Sequence, residues 1–439
     1  MNSKVKAEVF KMRFLDTYKL YGQGKLNCEE AAELLGVSIS TFYRKRQICG
    51  EEDNFTGVLD RRIGKVSPHR AADKEVENIT KLFAERYKAF SVKHFYEFAK
   101  REHGLSRSYN WTKNKLIEKG LVTKSNRGGK HRLRRERKPM SGMMMHQDGS
   151  KHRWLLNLDY DLDLIVTMDD ATSKITSCFL IEEEGTLSSL QGLYETIKKE
   201  GLFCSFYTDR GSHYFYTPEV GGKVDKNRLT QVGRALRQLR IKHIAAYSPE
   251  ARGRSERMFG TLQNRLPQEF ALKGITTIEE ANKYIKEVYL PRHNEQFCVK
   301  PASEESAFTE WTQTTALEDI LCLEEERVVQ RDNTVRYNGL VLQIPKNNYR
   351  HHYIKTEVRI HEYCDRSLAI FYGHLCIGRY DAEGKLTEDT TKSSNKNFSF
   401  LMKTKERKKA TLVSNGKENH NNNIINDFLY GDKIGQLTC

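Results

Sequence analysis

Residues 143–150 read MMMHQDGS, residues 202–214 read LFCSFYTDRGSHY and residues 253–263 read GRSERMFGTLQ. The first two are short apolar runs, as buried strands are, and each runs into one aspartate. That sets Asp148 and Asp209 at a strand edge or end. In the third, Phe259, Leu262, Leu266 and Phe270 recur at helical spacing. Glu256, Gly260 and Gln263 share a face of that helix beside the apolar stripe. Two strands and one helix therefore offer three carboxylates to one place. Such a set suits a metal-dependent nuclease. Two divalent cations held by a few carboxylates activate an attacking water or hydroxyl and stabilise the leaving oxygen of a phosphodiester.

Spacing alone is weak support, because the chain carries 58 Asp and Glu and a lone Asp after a strand is commonly a turn or cap residue. The weight lies in the local pattern around each acid and in their order. Asp169 and Asp170, in MDDATSK, fit a supporting role on a second strand. Asp159, Asp161 and Asp163 fall in a polar, hairpin-like stretch expected to be solvated. His152 and His213 could position a phosphate or a nucleophile, although a single His is more often a packing residue. Gln263 could touch DNA, but polar helix faces usually serve solubility.

Upstream, residues 28–47 read CEEAAELLGVSISTFYRKRQ. Ala31, Ala32, Leu34 and Leu35 pack one helix, Gly36 opens a tight turn, and Ser38 or Ser40 caps the next helix. A helix-turn-helix results, with Ser40, Thr41, Tyr43, Arg44 and Lys45 available to bases and phosphates. Helices near 74–87, 91–103 and 108–119 form a second small module. From Lys124 to Lys138 there are eight Lys and Arg and one Glu, a basic linker in which Lys130, Arg132, Arg134 and Arg135 would track a DNA backbone. Downstream, residues 327–345 alternate, turn at Asn338–Gly339 and alternate again, the pattern of a β-hairpin. Further strands at 353–361, 367–372 and 375–380 suggest a small β-barrel, and the remainder, rich in Lys, Asn, Ser and Thr, is expected to be mostly disordered.

Composition agrees. A chain of 439 residues exceeds one ordinary domain. With 73 Lys and Arg it carries a net charge of +15, which favours a polyanionic partner. No apolar stretch approaches the length of a membrane span, and the start, MNSKVKAEVFKMRF, lacks the apolar region of a secretory signal. The nine cysteines are scattered with no C-x-x-C pair, which fits a reducing interior and argues against structural zinc. The expected location is cytoplasmic, in a bacterium and nucleoid-associated.

These pieces together resemble a known family. RERKPMSGMMMHQDGSKHRWL, VTMDDATSKI, FYTDRGSHY, GRSERMFGTLQNRL and HNEQFCVKPASEESAF follow one another between about 140 and 310, with YNWTKNKLIEKGLV upstream. In that order they are similar to the DDE transposases of bacterial insertion sequences, which carry an integrase catalytic core, and most closely to the ISNCY-like group. The resemblance aligns Asp148, Asp209 and Glu256 with the catalytic, metal-binding triad. It implies an RNase H-like core, a mixed sheet of three antiparallel strands and two more flanked by helices. It also implies two Mg2+ ions (Mn2+ substituting), Asp148 bridging both, and double-stranded DNA as partner, both terminal repeats and target. A homo-oligomer would pair two DNA ends. The activity implied is cleavage at the ends of a mobile element and joining of the 3′ hydroxyl to target DNA. A catalytically silent DNA-binding regulator derived from such an element is the alternative. The 46 residues between Asp209 and Glu256 exceed the retroviral spacing, and YFYTPEVGGKVDKNRL is expected to form a loop over the site.

The expected architecture is thus a multidomain α+β chain. A helix-turn-helix domain (1–60) and a second helical DNA-binding module (61–122) lead through the basic linker (123–140) to the RNase H-like α/β core (141–312). A small β-barrel (325–384) and a tail (385–439) follow.

Overall fold

The computed structural model describes residues 3–51, 58, 70–124, 136–218, 222–225, 227–247 and 253–387. Lys130, Arg132, Arg134 and Arg135 of the linker, and nearly all of the tail, lie outside the described residues. The chain divides into two compact units, residues 1–88 with 95–125, and residues 89–94 with 126–439.

The first unit is helical. Helices α1 (Ser3–Gly22), α2 (Cys28–Leu35) and α3 (Ile39–Glu51) surround a core of Phe14, Ala31, Ala32, Leu35 and Phe42. Asn27 caps α2 with a reciprocal Glu30 bond, two otherwise orphaned amides thereby satisfied. Gly36 ends α2 at φ +66°, a left-handed conformation suited to glycine, and Ser38 accepts the amide of Thr41 to start α3. Leu34, expected to pack inward, is exposed, because it flanks the face on which Ala31, Ala32 and Leu35 are buried. Helices α4 (Asp73–Arg86), α5 (Val92–Glu102) and α6 (Tyr109–Glu118) follow, with Ser108 capping α6 and Arg107 gripping Glu75 through two hydrogen bonds of 2.7 and 2.8 Å.

The second unit is built on a mixed sheet. Strands β1 (Met145–His152), β2 (Leu162–Asp169) and β3 (Ile175–Ile181) form an antiparallel meander. Helix α7 (Thr186–Glu200) then carries the chain back to β4 (Ser205–Thr208), which pairs parallel to β1, and α8 (Gln231–Gln238) leads to β5 (Lys242–Ala245), parallel to β4. The order is β3-β2-β1-β4-β5. Three antiparallel strands and two more, flanked by helices, are what the resemblance implied. β2 shows why both faces are covered. Leu162, Leu164, Val166 and Met168 point into one apolar core while Ile165 is buried on the other side, the period-2 alternation of a strand covered on both faces.

Helix α9 (Gly253–Gln263) packs on the first of these cores through Met258, Phe259 and Leu262. The apolar stripe read as one helix is two. α10 (Leu266–Lys273) starts after Arg265 with Pro267 in its first turn, where proline's missing amide costs nothing, yet the same ring forbids continuing α9. α11 (Ile278–Tyr284), a π-helical turn and α12 (Leu290–Phe297) complete that layer, and α7 and α8 line the opposite core with Met145 and Phe206.

After α13 (Leu317–Ile320), strand β6 (Leu323–Val328) pairs with β9 (Glu357–Glu362) in a four-stranded sheet completed by β10 (Leu368–Tyr372) and β11 (Leu375–Tyr380). β7 (Thr334–Tyr337) and β8 (Leu340–Gln343) form a separate hairpin. Its turn is Asn338–Gly339, both at positive φ, as a two-residue I′ turn requires. The hairpin is shorter than the expected 327–345, because Arg327 and Val328 pair with β9 instead. The expected barrel is corrected likewise. The hairpin and the sheet share one core around Val335, Leu342, Ile360 and Ile370, but among the described residues no ladder joins them into a closed barrel.

Leu262 is fully buried between α9 and the sheet. Leu262→Ala is expected to cost ~2–5 kcal/mol of stability, measured by urea unfolding.

Candidate active site

Of the strand edge or end expected for it, Asp148 takes the edge, as the fourth residue of β1. β1 continues because it stays paired with β2 as far as His152↔Leu162. On its other edge β1 pairs with β4 only at Met145↔Phe206 and His146↔Tyr207. Beyond His146 the two parallel strands part, and β4 ends at Thr208. Continuing the register by two residues brings Asp209 to the level of Asp148. This is the switch point of the sheet, where the chain winds outward to β3 on one side and β5 on the other. In open sheets of this kind ligands bind beyond the carboxyl ends of the strands at such a point.

Side-chain alternation fixes which way β1 faces. Gln147 points toward α7, where its amide donates to Thr167 Oγ1 at 3.0 Å and to the Ser189 carbonyl at 3.2 Å, and its carbonyl accepts from the Tyr214 hydroxyl at 2.8 Å. His146, Asp148 and Ser150 share the opposite face. There Gln263 of α9 donates to Ser150 Oγ at 3.0 Å, a structural contact where the sequence suggested DNA. Glu256 lies in the first turn of α9, exposed.

Asp209 turns the chain back on itself, its carboxylate accepting the amide of Gly211 at 2.9 Å. Tyr214, fully buried, has its hydroxyl held well above the usual range, first by burial and then by the negative charges of Glu184, Asp209 and Asp148. The charge of each acts on this hydroxyl through space, with Asp148 on the other face of β1 from the Gln147 that the hydroxyl binds. Glu184 was not foreseen. Its carboxylate lies over Gly149, where a β-carbon would come within 2.2 Å of it, and its backbone amide is held by Asp163 at 2.8 Å. Within the run Glu182–Glu183–Glu184 the sequence gives no sign that one differs from its neighbours. Asp163 is thus half-buried and bonded, unlike the exposed Asp159 and Asp161. His213 stands 3.4 Å from Glu184, and His152 packs edge-on to Trp154.

Behind Asp209, the half-buried His243 stacks on Phe215 and shares a 3.0 Å hydrogen bond with Thr208 Oγ1. Burial pushes its pKa down to about 3, so it stays neutral. The 214–229 segment is irregular where described, with Arg210 donating to the Gly222 carbonyl and Arg228 stacked over Tyr216.

Aspartates and glutamates supply the oxygen donors that a hard divalent cation prefers, and Asp148 and Asp209 are of that type. Among the described residues, no group of three or more His, Cys, Asp or Glu is gathered closely enough to hold a metal ion. Residues 248–252, which lead into α9, lie outside the described residues.

In the first unit, Ser40, Tyr43 and Arg44 are exposed on α3, and Thr41 is half-buried. Lys45 turns inward, over the Phe10 ring and bonded to the Val58 carbonyl.

No family model matches the chain. It is 28% identical over 395 residues to y4bF of Sinorhizobium fredii, a protein named as a transposase, covering 88% of this chain and 84% of that one. It is also 28% identical over 306 residues to the transposase for insertion sequence IS1202 of Streptococcus pneumoniae, covering 62% of this chain and 64% of that protein. The chain is related to transposases. Among solved structures, the HTLV-2 integrase catalytic core domain in complex with magnesium matches 34% of this chain and 89% of its own. The identity there is 16% and the TM-score 0.25, too loose a superposition to bear on chemistry. No described helix of the chain is long and apolar enough to cross a membrane.

Two outcomes follow from the site's packing. Tyr214→Phe strands the buried Gln147 carbonyl and is expected to cost about 1–3 kcal/mol in urea unfolding. His243 has a folded pKa of about 3 against an ordinary 6.5, so its contribution to stability is full above the higher value and is lost as pH falls toward the lower one. His243→Gln should remove one proton from the acid slope of stability against pH.

Proposed function

We propose that this chain is a DNA transposase that cuts the ends of a mobile element and joins the freed 3′ hydroxyl to target DNA. The observation that carries the proposal is that Asp148 and Asp209 stand at the switch point of the mixed sheet, with α9, the helix that bears the exposed Glu256, lying against β1. That this chain aligns over most of its length with a protein named as a transposase supports it. In this reading the core is RNase H-like, and Asp148, Asp209 and Glu256 hold two Mg2+ ions, with Mn2+ able to substitute. The bound ions would supply charge neutralisation and a more acidic water.

The chain's own residues supply the rest. The backbone of Asp148 is fixed by its pairing with Val166 of β2, and the Asp209 carboxylate by its turn onto Gly211, so less has to be ordered when substrate arrives. Tyr214 and Gln147 support β1 from behind. In-line displacement at phosphorus needs no covalent intermediate, so positioning and electrostatics suffice. The exposed Ser40, Tyr43 and Arg44 of α3, with Thr41 beside them, and the linker's Lys130, Arg132, Arg134 and Arg135 would hold double-stranded DNA, Lys45 being turned inward. Synapsis of two ends would require more than one protomer.

A labelled duplex carrying the DNA that flanks the gene tests this. Incubation with Mg2+ or Mn2+ should nick it at the repeat end. Asp209→Asn should lower the rate by at least ~100-fold, as expected of a direct ligand when losing an outer-shell partner already costs ~10–100-fold. Tight repeat-specific binding without cleavage under either metal would point to the silent DNA-binding regulator.

A further inference from the structure

Asp170 is the most enclosed acid near the site and belongs to none of the three carboxylate positions. Its side chain is fully buried at the end of β2. One carboxylate oxygen accepts from His146 Nε2 at 2.8 Å and also receives the guanidinium of Arg254. The other accepts the backbone amide of Lys138 at 2.8 Å. Its backbone carbonyl accepts from Arg137 at 2.9 Å. A buried carboxylate is expensive unless charge and hydrogen bonds compensate it. Here the compensation comes from particular places. His146 lies two residues before Asp148 on the same face of β1, and Arg254 two residues before Glu256 in the same turn of α9.

The far end of α9 is tied to the same strand. Gln263 donates to Ser150 Oγ at 3.0 Å, two residues after Asp148 and again on the same face. Helix and strand are thus fastened at two points that bracket Asp148 on β1 and Glu256 on α9. Apolar packing of Met258, Phe259 and Leu262 fixes how close α9 lies, but burial is non-directional and leaves sliding along the strand cheap. Directional hydrogen bonds do not.

We propose that Asp170, through Arg254 and His146, is a positioning residue that sets the register of α9 on β1, and so the approach of Glu256 to Asp148 and Asp209, with Gln263–Ser150 as the second fastening. What Glu256 then does rests on the transposase reading; the register itself does not.

The test uses the full chain with Arg254→Gln, Arg254→Lys, Asp170→Asn and Gln263→Ala. Amide hydrogen exchange is followed at residues 257–260, whose amides bond back into the first turn of α9. In Arg254→Gln and Asp170→Asn, exchange there should be roughly tenfold faster than in the parent, with β2 and β3 unchanged, as for a local opening. Arg254→Lys should restore part of the protection, and Gln263→Ala should loosen the other end alone. In the nicking assay, the Mg2+ concentration for half-maximal rate should rise roughly tenfold in Arg254→Gln, as for loss of an outer-shell partner.

Unchanged exchange at 257–260 in a folded Arg254→Gln protein overturns the proposal, whatever the nicking assay gives. So does a raised exchange rate with an unaltered Mg2+ dependence. If Asp170→Asn fails to fold, Arg254→Gln and Gln263→Ala still decide. A parent chain that nicks no DNA rejects the transposase reading instead, and is recognised before any variant is compared.

Discussion

The central strand β1 runs antiparallel to one neighbour and parallel to the other, and the site depends on that. An antiparallel partner can follow β1 along its whole length, and β2 does so from Met145 to His152. The parallel partner arrives by a helical crossover and leaves early, after two paired positions. β1 is therefore rigid on one edge and open on the other just where Asp148 stands. A fully antiparallel sheet would have closed that edge with another ladder. That open edge is a product of topology before any side chain is considered.

Much of this was legible in the sequence because strand and helix periods are simple. The apolar runs ending near Asp148 and Asp209 gave β1 and β4, and the Asn338–Gly339 pair marked a turn that only positive φ allows. The start of α3 followed from capping chemistry, which offered Ser38 or Ser40 and is met at Ser38. The errors have equally local causes. Leu34 is apolar and exposed, since hydrophobicity does not say which side of a short helix is inside. The stripe from Phe259 to Phe270 kept its period across a break made by Pro267.

The least legible parts were those set by long-range contact. Glu184 reaches Gly149 across 35 positions of chain, and nothing in a run of three glutamates distinguishes the last. Asp170 read as a supporting acid, but which groups it supports depends on β1, α9 and the linker's end meeting at one point. Asp163 read as solvated because its neighbours are polar, although burial now pushes its pKa up and it holds the Glu184 amide. Composition describes a residue's sequence neighbourhood, not its spatial one.

The interruption between α9 and α10 has a mechanical consequence. An unbroken helix from Gly253 to Lys273 would be a stiff rod of about 30 Å at 1.5 Å per residue, and any displacement at Glu256 would be delivered to Phe270 in the apolar core. The joint at Asn264–Arg265 divides that rod into two shorter levers. Phe270 anchors the second, so a movement at the Glu256 end is taken up at the joint before it reaches Phe270.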